Sequence, residues 1–408
     1  MIKKIFNIYF LLLLMPIFIL LSGKIYYEPF DKLNSDNNLY NVPIPISYFI
    51  SIILILYILY KKKFKILNEK IIKILFYSVI SIIFFLIIFK NLNYERILEL
   101  VQFLLPWMGF IIAINLNQYE NIYKLAYYFL SLFLSLQLII TFYYSKLIII
   151  SDVIFFTVYQ NIQYVGTIFT LCTILVSINL FNKKKLQIIC LILLSTIYSV
   201  LTYSLSSVIL LIIFLFGYSI KLIFQNYKNK FTLLKIISSL ILFFCICLYL
   251  FNFNVNNIEK EKFITNGKKA KNYYENTLKF QNLANFETPE NIRLRIIIWK
   301  SYYQEIINNK EIIFLGDKDR HLDDKYQSSH NLFIDIIYKF GLILTIPYLI
   351  LLYLILFKLY SLRNNQKDFY SLLVIFFVIF LENMFKVSLK QPYPGIISFY
   401  LIGYYLKK

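Results

Sequence analysis

The chain has 408 residues, of which 59% are hydrophobic, 19% aromatic and only 16% charged, with a mean hydropathy of +0.66. Soluble domains lie nearer half apolar and a quarter charged, so a water-soluble protein is excluded and a polytopic membrane protein is expected. The net charge of +20, from 42 Lys and Arg against 22 Asp and Glu, would suit a nucleic-acid binder, but its placement along the chain excludes nucleic acid as a partner.

Twelve apolar blocks follow one another, near 5–21, 44–60, 70–89, 97–116, 124–144, 158–181, 186–202, 205–224, 231–251, 332–357, 369–388 and 394–406. Blocks of this kind suit a bilayer core of about 30 Å. In hydrocarbon only a helix or a closed barrel satisfies every backbone amide, and the blocks lack the polar–apolar alternation of barrel strands. The expectation is an all-α polytopic membrane protein with about 12 transmembrane helices and one large extracytoplasmic loop containing amphipathic helices. Residues 1–251 form an N-terminal bundle of about nine helices, 252–331 the loop, and 332–408 the last three helices. The first block has no small-residue cleavage site behind it, Ser22-Gly23-Lys24 being a poor one, and is expected to stay as a helix rather than be removed as a signal peptide.

With Met1 in the cytoplasm, 21 of the 42 basic residues fall on the inner side together with only three acids, Glu69, Glu120 and Asp368. The loop 252–331 carries 13 basic and 11 acidic residues and is nearly neutral. This is the asymmetry that orients membrane helices, and it predicts cytoplasmic termini with the loop outside. Cys172, Cys190, Cys245 and Cys247 all lie within apolar blocks and read as small core residues. Cys245-Ile246-Cys247 has one residue too few for a zinc knuckle.

The chain uses 37 Lys but only five Arg, and Arg96, Arg293, Arg295 and Arg320 fall on the expected outer side. A guanidinium fork holds phosphate or carboxylate through two hydrogen bonds; ordinary ion pairing with the loop's acids is the alternative. In the loop, 256–289 is polar, while Asn291–Ile307 suits an amphipathic helix on the membrane surface, its apolar face against the mouth of the bundle. Both histidines, His321 and His330, are in the loop, and imidazole is the natural base near neutral pH. His330, immediately before the tenth block, is the better candidate. Glu382 and Lys386, in the eleventh block, form either a local pair or a polar site facing a cavity; Glu95, Arg96 and Glu99 invite the same two readings. No ladder of buried acids suggests proton coupling.

Arg295-Ile-Ile-Ile-Trp299, then Ile313-Phe-Leu-Gly316, then Ser329-His330-Asn331-Leu332-Phe333-Ile334-Asp335 running into Phe340-Gly341-Leu342-Ile343 resembles the O-antigen ligase and O-antigen polymerase superfamily. Tyr159-Gln160-Asn161-Ile162-Gln163-Tyr164-Val165-Gly166 is similar to the family's Asn-containing start of a mid-chain span, and the match covers about 160–345. The sequence departs from the pattern in three places. Leu205, within Thr202–Ser207, stands where the family carries an Arg; Gly-x-Gly is reduced to Gly316-Asp317-Lys318; and Leu344 replaces the second Gly after His-Asn.

The resemblance implies a GT-C-like membrane glycosyltransferase of the bacterial inner membrane. It would move a glycan from an undecaprenyl-diphosphate carrier to an acceptor hydroxyl, as a surface-polysaccharide polymerase or an O-antigen ligase, with a slight lean to polymerase because the chain is so diverged. Arg295 would grip the diphosphate, helped by Arg293 or Arg320, and His330 would deprotonate the acceptor. Secondary candidates are Asn331, His321, Arg96, Glu382 and Lys386. No acidic cluster of metal-ligand type is present, so neither metal nor other cofactor is expected. The implied partners are the lipid-linked glycan, a glycan or lipid A-core acceptor, the lipid bilayer and a chain-length regulator. A flippase or exporter of lipid-linked oligosaccharide is the competing class, and a structural or sensor protein without chemistry a third. The long loop holding both His and three Arg speaks for the enzyme.

Overall fold

In a computed structural model, the described residues are 2–16, 18–19, 44–60, 73, 77–80, 83, 100, 103–115, 122–143, 162–181, 185–201, 205–226, 290–317, 329–385, 389 and 391–408. They are almost entirely helical and belong to two compact units, Met1–Ile50 with Tyr119–Gly267, and Ser51–Gln118 with Lys268–Lys408. A helix from Ile46 to Tyr60, α2, carries the chain across the division.

The first unit contains α1 (Ile2–Leu14), a two-residue antiparallel pairing of Phe18–Ile19 with Ile44–Pro45, α4 (Ile122–Tyr143), α5 (Ile162–Leu180), α6 (Lys185–Leu201) and α7 (Leu205–Asn226). The expected first span at 5–21 is not one helix. Proline lacks an amide hydrogen and its ring clashes with the preceding turn; the helix stops at Leu14 and Pro16 follows it. α4, α5 and α6 pack against one another, α7 lies on α5 and α6, and α1 on α4. Phe169 is fully buried among Phe129, Phe133 and Tyr198. Hydroxyls line the same helix contacts: Thr170 meets Ser199 at 3.2 Å, and Ser207 donates to Thr167 at 3.3 Å. Cys172 is buried among them, Cys190 is exposed, and Cys245 and Cys247 lie outside the described residues.

The second unit contains α3 (Trp107–Asn115), α8 (Glu290–Asn308), α9 (Lys310–Leu315), α10 (Leu332–Ser361), α11 (Gln366–Phe385) and α12 (Pro392–Lys407). α12 is buried from Tyr393 to Tyr405 and packs most extensively on α3. Small residues make that approach possible: a Cβ on Gly109 would lie 2.2 Å from the Ile396 carbonyl oxygen, and one on Gly403 would meet Ala113 at 3.0 Å. Backbones that come this close exchange dispersion contacts only Gly and Ala permit. The Trp107 and Phe399 rings meet at a tilt of 44°, centroids 4.5 Å apart, and Tyr348 of α10 closes the group.

Among the described residues two helices are long and apolar enough to cross a membrane: α4 over Ile122–Ile139, and α10. Each turns a row of large apolar side chains outward. On α4 these are Tyr128, Leu132, Leu136 and Ile139; on α10 they are Ile346, Leu349, Tyr353 and Phe357.

Candidate functional site

The candidate residues gather where α8 and α9 lie on the first half of α10. The local reason is amphipathicity. Ile298 and Tyr302, four residues apart on one face of α8, are buried with Ile312 of α9 and Tyr338 of α10, and Ile306 and Ile334 pack beside them. The Tyr302 and Tyr338 rings meet edge to face at 4.7 Å.

Two glycines set how closely the elements cross. Gly316, which ends α9, and Gly341, inside α10, both have φ +75°, a region open to glycine and costly for other residues. A Cβ on Gly316 would sit 2.5 Å from the Lys339 carbonyl, and one on Gly341 would sit 2.1 Å from the Phe314 carbonyl oxygen. Each glycine therefore makes room for the other element's backbone. The break at Gly341 interrupts the α10 hydrogen-bond ladder; the Tyr338 carbonyl instead accepts from the Asp317 amide at 2.6 Å, and the Tyr338 hydroxyl donates to the Asp317 carboxylate.

His330 and Asn331 open α10. Asn331 is the N-cap: its side-chain oxygen accepts from the amides of Phe333 (3.0 Å) and Ile334 (3.2 Å), satisfying donors that have no partner inside a helix. Its side-chain NH2 donates to the Met384 carbonyl of α11 at 3.1 Å. From the other side the Trp299 indole N–H of α8 donates to the Ser329 carbonyl at 2.9 Å. His330 is thus held between a residue pinned by α8 and a residue pinned by α11. Its φ is +53°, an uncommon backbone state for a non-glycine residue and one that concentrates at functional positions.

His330 as a whole residue is exposed, while protein packs closely around its titrating ring. The protein packed around it disfavours the imidazolium, and the Arg295 cation disfavours it further; the opposing Asp335 charge does not cancel these, and the pKa falls below its ordinary 6.5. Both the burial and the Arg295 charge favour the uncharged imidazole, the form that can accept a proton. Asp335 is fully buried one turn into α10, and Lys339 approaches it at 3.7 Å.

Of the residues singled out from the sequence, Arg295, His330 and Asn331 are brought together here. Arg293 lies on α8, its side chain outside the described residues. Glu382 is buried on α11 two residues before Met384, on the helix that Asn331 grips. Arg96, Arg320, His321 and Lys386 lie outside the described residues, as do Glu95 and Glu99, and Leu205 is seen only as the first residue of α7. Sequence reasoning missed Trp299, Asp317, Tyr338, Asp335 and Lys339 as parts of the site. An acid and a lysine four residues apart inside an apolar block was the signal that could have found the last two.

No protein-family model matches this chain, and no curated protein matches it.

Proposed function

We propose that this chain is an integral-membrane glycosyltransferase of surface-polysaccharide assembly, a polymerase or ligase that transfers a glycan from an undecaprenyl-diphosphate carrier to an acceptor hydroxyl. The observation that carries the reading is that the Arg295 charge, thirty-five residues away in the chain, acts on the His330 imidazole and lowers its pKa, with His330 set just before the first turn of a helix long and apolar enough to cross a membrane. The outward apolar rows of α4 and α10 support a lipid setting, since patches of that extent are rare on surfaces facing water. The charge asymmetry supports cytoplasmic termini in the bacterial inner membrane and a site on its outer face.

In this reading the acceptor oxygen attacks the anomeric carbon while its proton passes to the neutral imidazole of His330. The bond from that carbon to the diphosphate oxygen breaks, and the departing charge is taken by the Arg295 guanidinium. Arg293 and Arg320 are the further cations available to the diphosphate, and no step calls for a metal. The apolar outer surface of the helices takes the polyprenyl tail.

The test is a gel of surface glycolipid from a strain lacking the gene, carrying either the wild-type gene or His330→Ala. Loss of the ladder with a single capped repeat left identifies a polymerase, and bare core identifies a ligase. A full ladder from His330→Ala at normal protein level rejects the enzyme reading in favour of a flippase or exporter, in which His330 has no chemical role.

A further inference from the structure

Four of the five Arg fall on the expected outer side; the fifth, Arg363, stands in the turn between α10 and α11. It is exposed, and its guanidinium lies over the Tyr360 ring, 4.7 Å from the centroid. The ring's negative face attracts a cation, and a guanidinium held on that face keeps its N–H donors at the edge, where a planar fork meets an anion. The end of α10 does not call on this side chain. The Lys358 carbonyl accepts from the Leu362 amide at 2.9 Å and from the Ser361 hydroxyl at 2.8 Å. The nearest acid in the chain, Asp368, is buried, paired with Lys408 and bonded to Asn365.

Two further cations flank Arg363. Lys358 lies half-buried in the last turn of α10 and Lys367 is exposed in the first turn of α11. Among the described residues no carboxylate pairs with any of the three. An apolar row leads up to them. Leu349, Tyr353, Leu356, Phe357 and Tyr360 are all exposed, at spacings of three and four that put them on one side of the helix. The Tyr353 and Phe357 rings stack at 6.3 Å. The row runs along a helix long and apolar enough to cross a membrane and ends at the ring that carries Arg363.

We propose that this end of α10 binds an anionic phospholipid, its phosphate on Arg363 and Lys358 and an acyl chain along Phe357, Tyr353 and Leu349. The two parts of the surface match the two parts of such a molecule. The guanidinium fork takes phosphate oxygens through paired hydrogen bonds, and the basic cluster suits a negatively charged membrane surface. The apolar row takes hydrocarbon. A neutral lipid would leave the cations unused, and a soluble anion would leave the row unused. This inference goes beyond glycosyl transfer and rests only on α10 lying in a membrane, so it stands or falls separately from the enzyme reading.

For the test, full-length protein in detergent is offered an equimolar mixture of phosphatidylglycerol and phosphatidylcholine, and the lipids it retains are counted by native mass spectrometry. The wild-type protein should retain phosphatidylglycerol in preference. Arg363→Gln should cut that preference about fivefold, the factor expected for one basic residue at a membrane surface. Tyr360→Leu, which removes the ring beneath the guanidinium, should cut it about twofold. Lys310→Gln, which removes the same charge from an exposed position on α9, should leave it unchanged. If Arg363→Gln does not accumulate, Lys358→Gln decides, with the same fivefold fall expected. No preference in the wild-type protein, or equal falls from Lys310→Gln and the α10 variants, overturns the proposal. A fall from Arg295→Ala instead would put the lipid at the His330 site and overturn it as well.

Discussion

The two units bury polar groups in different ways. At the α5, α6 and α7 contacts the buried polar side chains include hydroxyls that bond back to the carbonyl four residues earlier, as Ser177, Thr196 and Ser199 do, or meet another hydroxyl across a helix pair. No charged side chain is buried there among the described residues, whereas all five buried charges belong to the second unit. Hydroxyls that satisfy themselves within their own helix let helices pack in an apolar setting at little cost. Buried charges are expensive and remain where they serve chemistry or fix a particular arrangement. Three of those charges, Asp317, Asp335 and Lys339, lie at the crossing of α9 and α10, and the other two, Asp368 and Glu382, on α11.

The comparison breaks most sharply at the reacting groups. Arg295→Ala or His330→Ala should lower transfer at least 100-fold, the scale of a lost general base or charge-stabilising donor, with the protein still present in membranes. Thr170→Val, which removes a hydroxyl from the α5–α6 contact, should leave the glycolipid ladder intact. Equal losses from both would erase the distinction between the units.

Glycine substitutions sharpen it. Gly341→Ala meets the Phe314 backbone at 2.1 Å and a φ of +75°, so it should destabilise the protein by more than about 2 kcal/mol. Gly217→Ala in α7 meets nothing within 4 Å and should stabilise that helix by up to about 1 kcal/mol. Thermal melts of detergent-solubilised protein read both changes, and the order of the two melting points is the test.

Smaller effects are expected from the groups that hold His330. Asn331→Ala loses the N-cap of α10 and should cost about 1 kcal/mol; Trp299→Phe loses the bond to Ser329 and should cost about the same. Both should lower activity more than stability, through displacement of His330, whereas Ser177→Ala in α5 should change neither. The smallest effect is on pH-dependent stability. Because the His330 pKa is lowered in the folded chain, the unfolded chain binds the proton first as pH falls through about 6.5, and stability is withdrawn from there downward. His330→Gln should flatten that part of the melting-temperature profile.

Part of this was legible in the sequence. The amphipathic run expected over 291–307 is α8, Glu290–Asn308, because the period of its apolar residues is a local property. The resemblance gave Arg295 and His330 separate roles in one reaction, and in the structure the Arg295 charge acts on the His330 imidazole. Gly316-Asp317-Lys318 read only as a reduced glycine pattern; the structure gives Gly316 a steric task against α10 and Asp317 a partner in Tyr338, twenty-one residues away. Contacts at that separation leave no periodic trace. Asp335 entered only as the end of the Ser329–Asp335 motif and Lys339 not at all, since spacing reveals that two groups share a face but not how deeply the face is buried. Pro16 did carry a readable stop signal, which the length of the first apolar block masked.

The most direct test of the account is transfer by the purified full-length protein in proteoliposomes, supplied with lipid-linked glycan from the deletion strain and with lipid A-core as the alternative acceptor. The wild-type protein should consume it and release undecaprenyl diphosphate, while folded His330→Ala should not. Equal release by His330→Ala, or movement of intact lipid-linked glycan across the bilayer without cleavage, would contradict it.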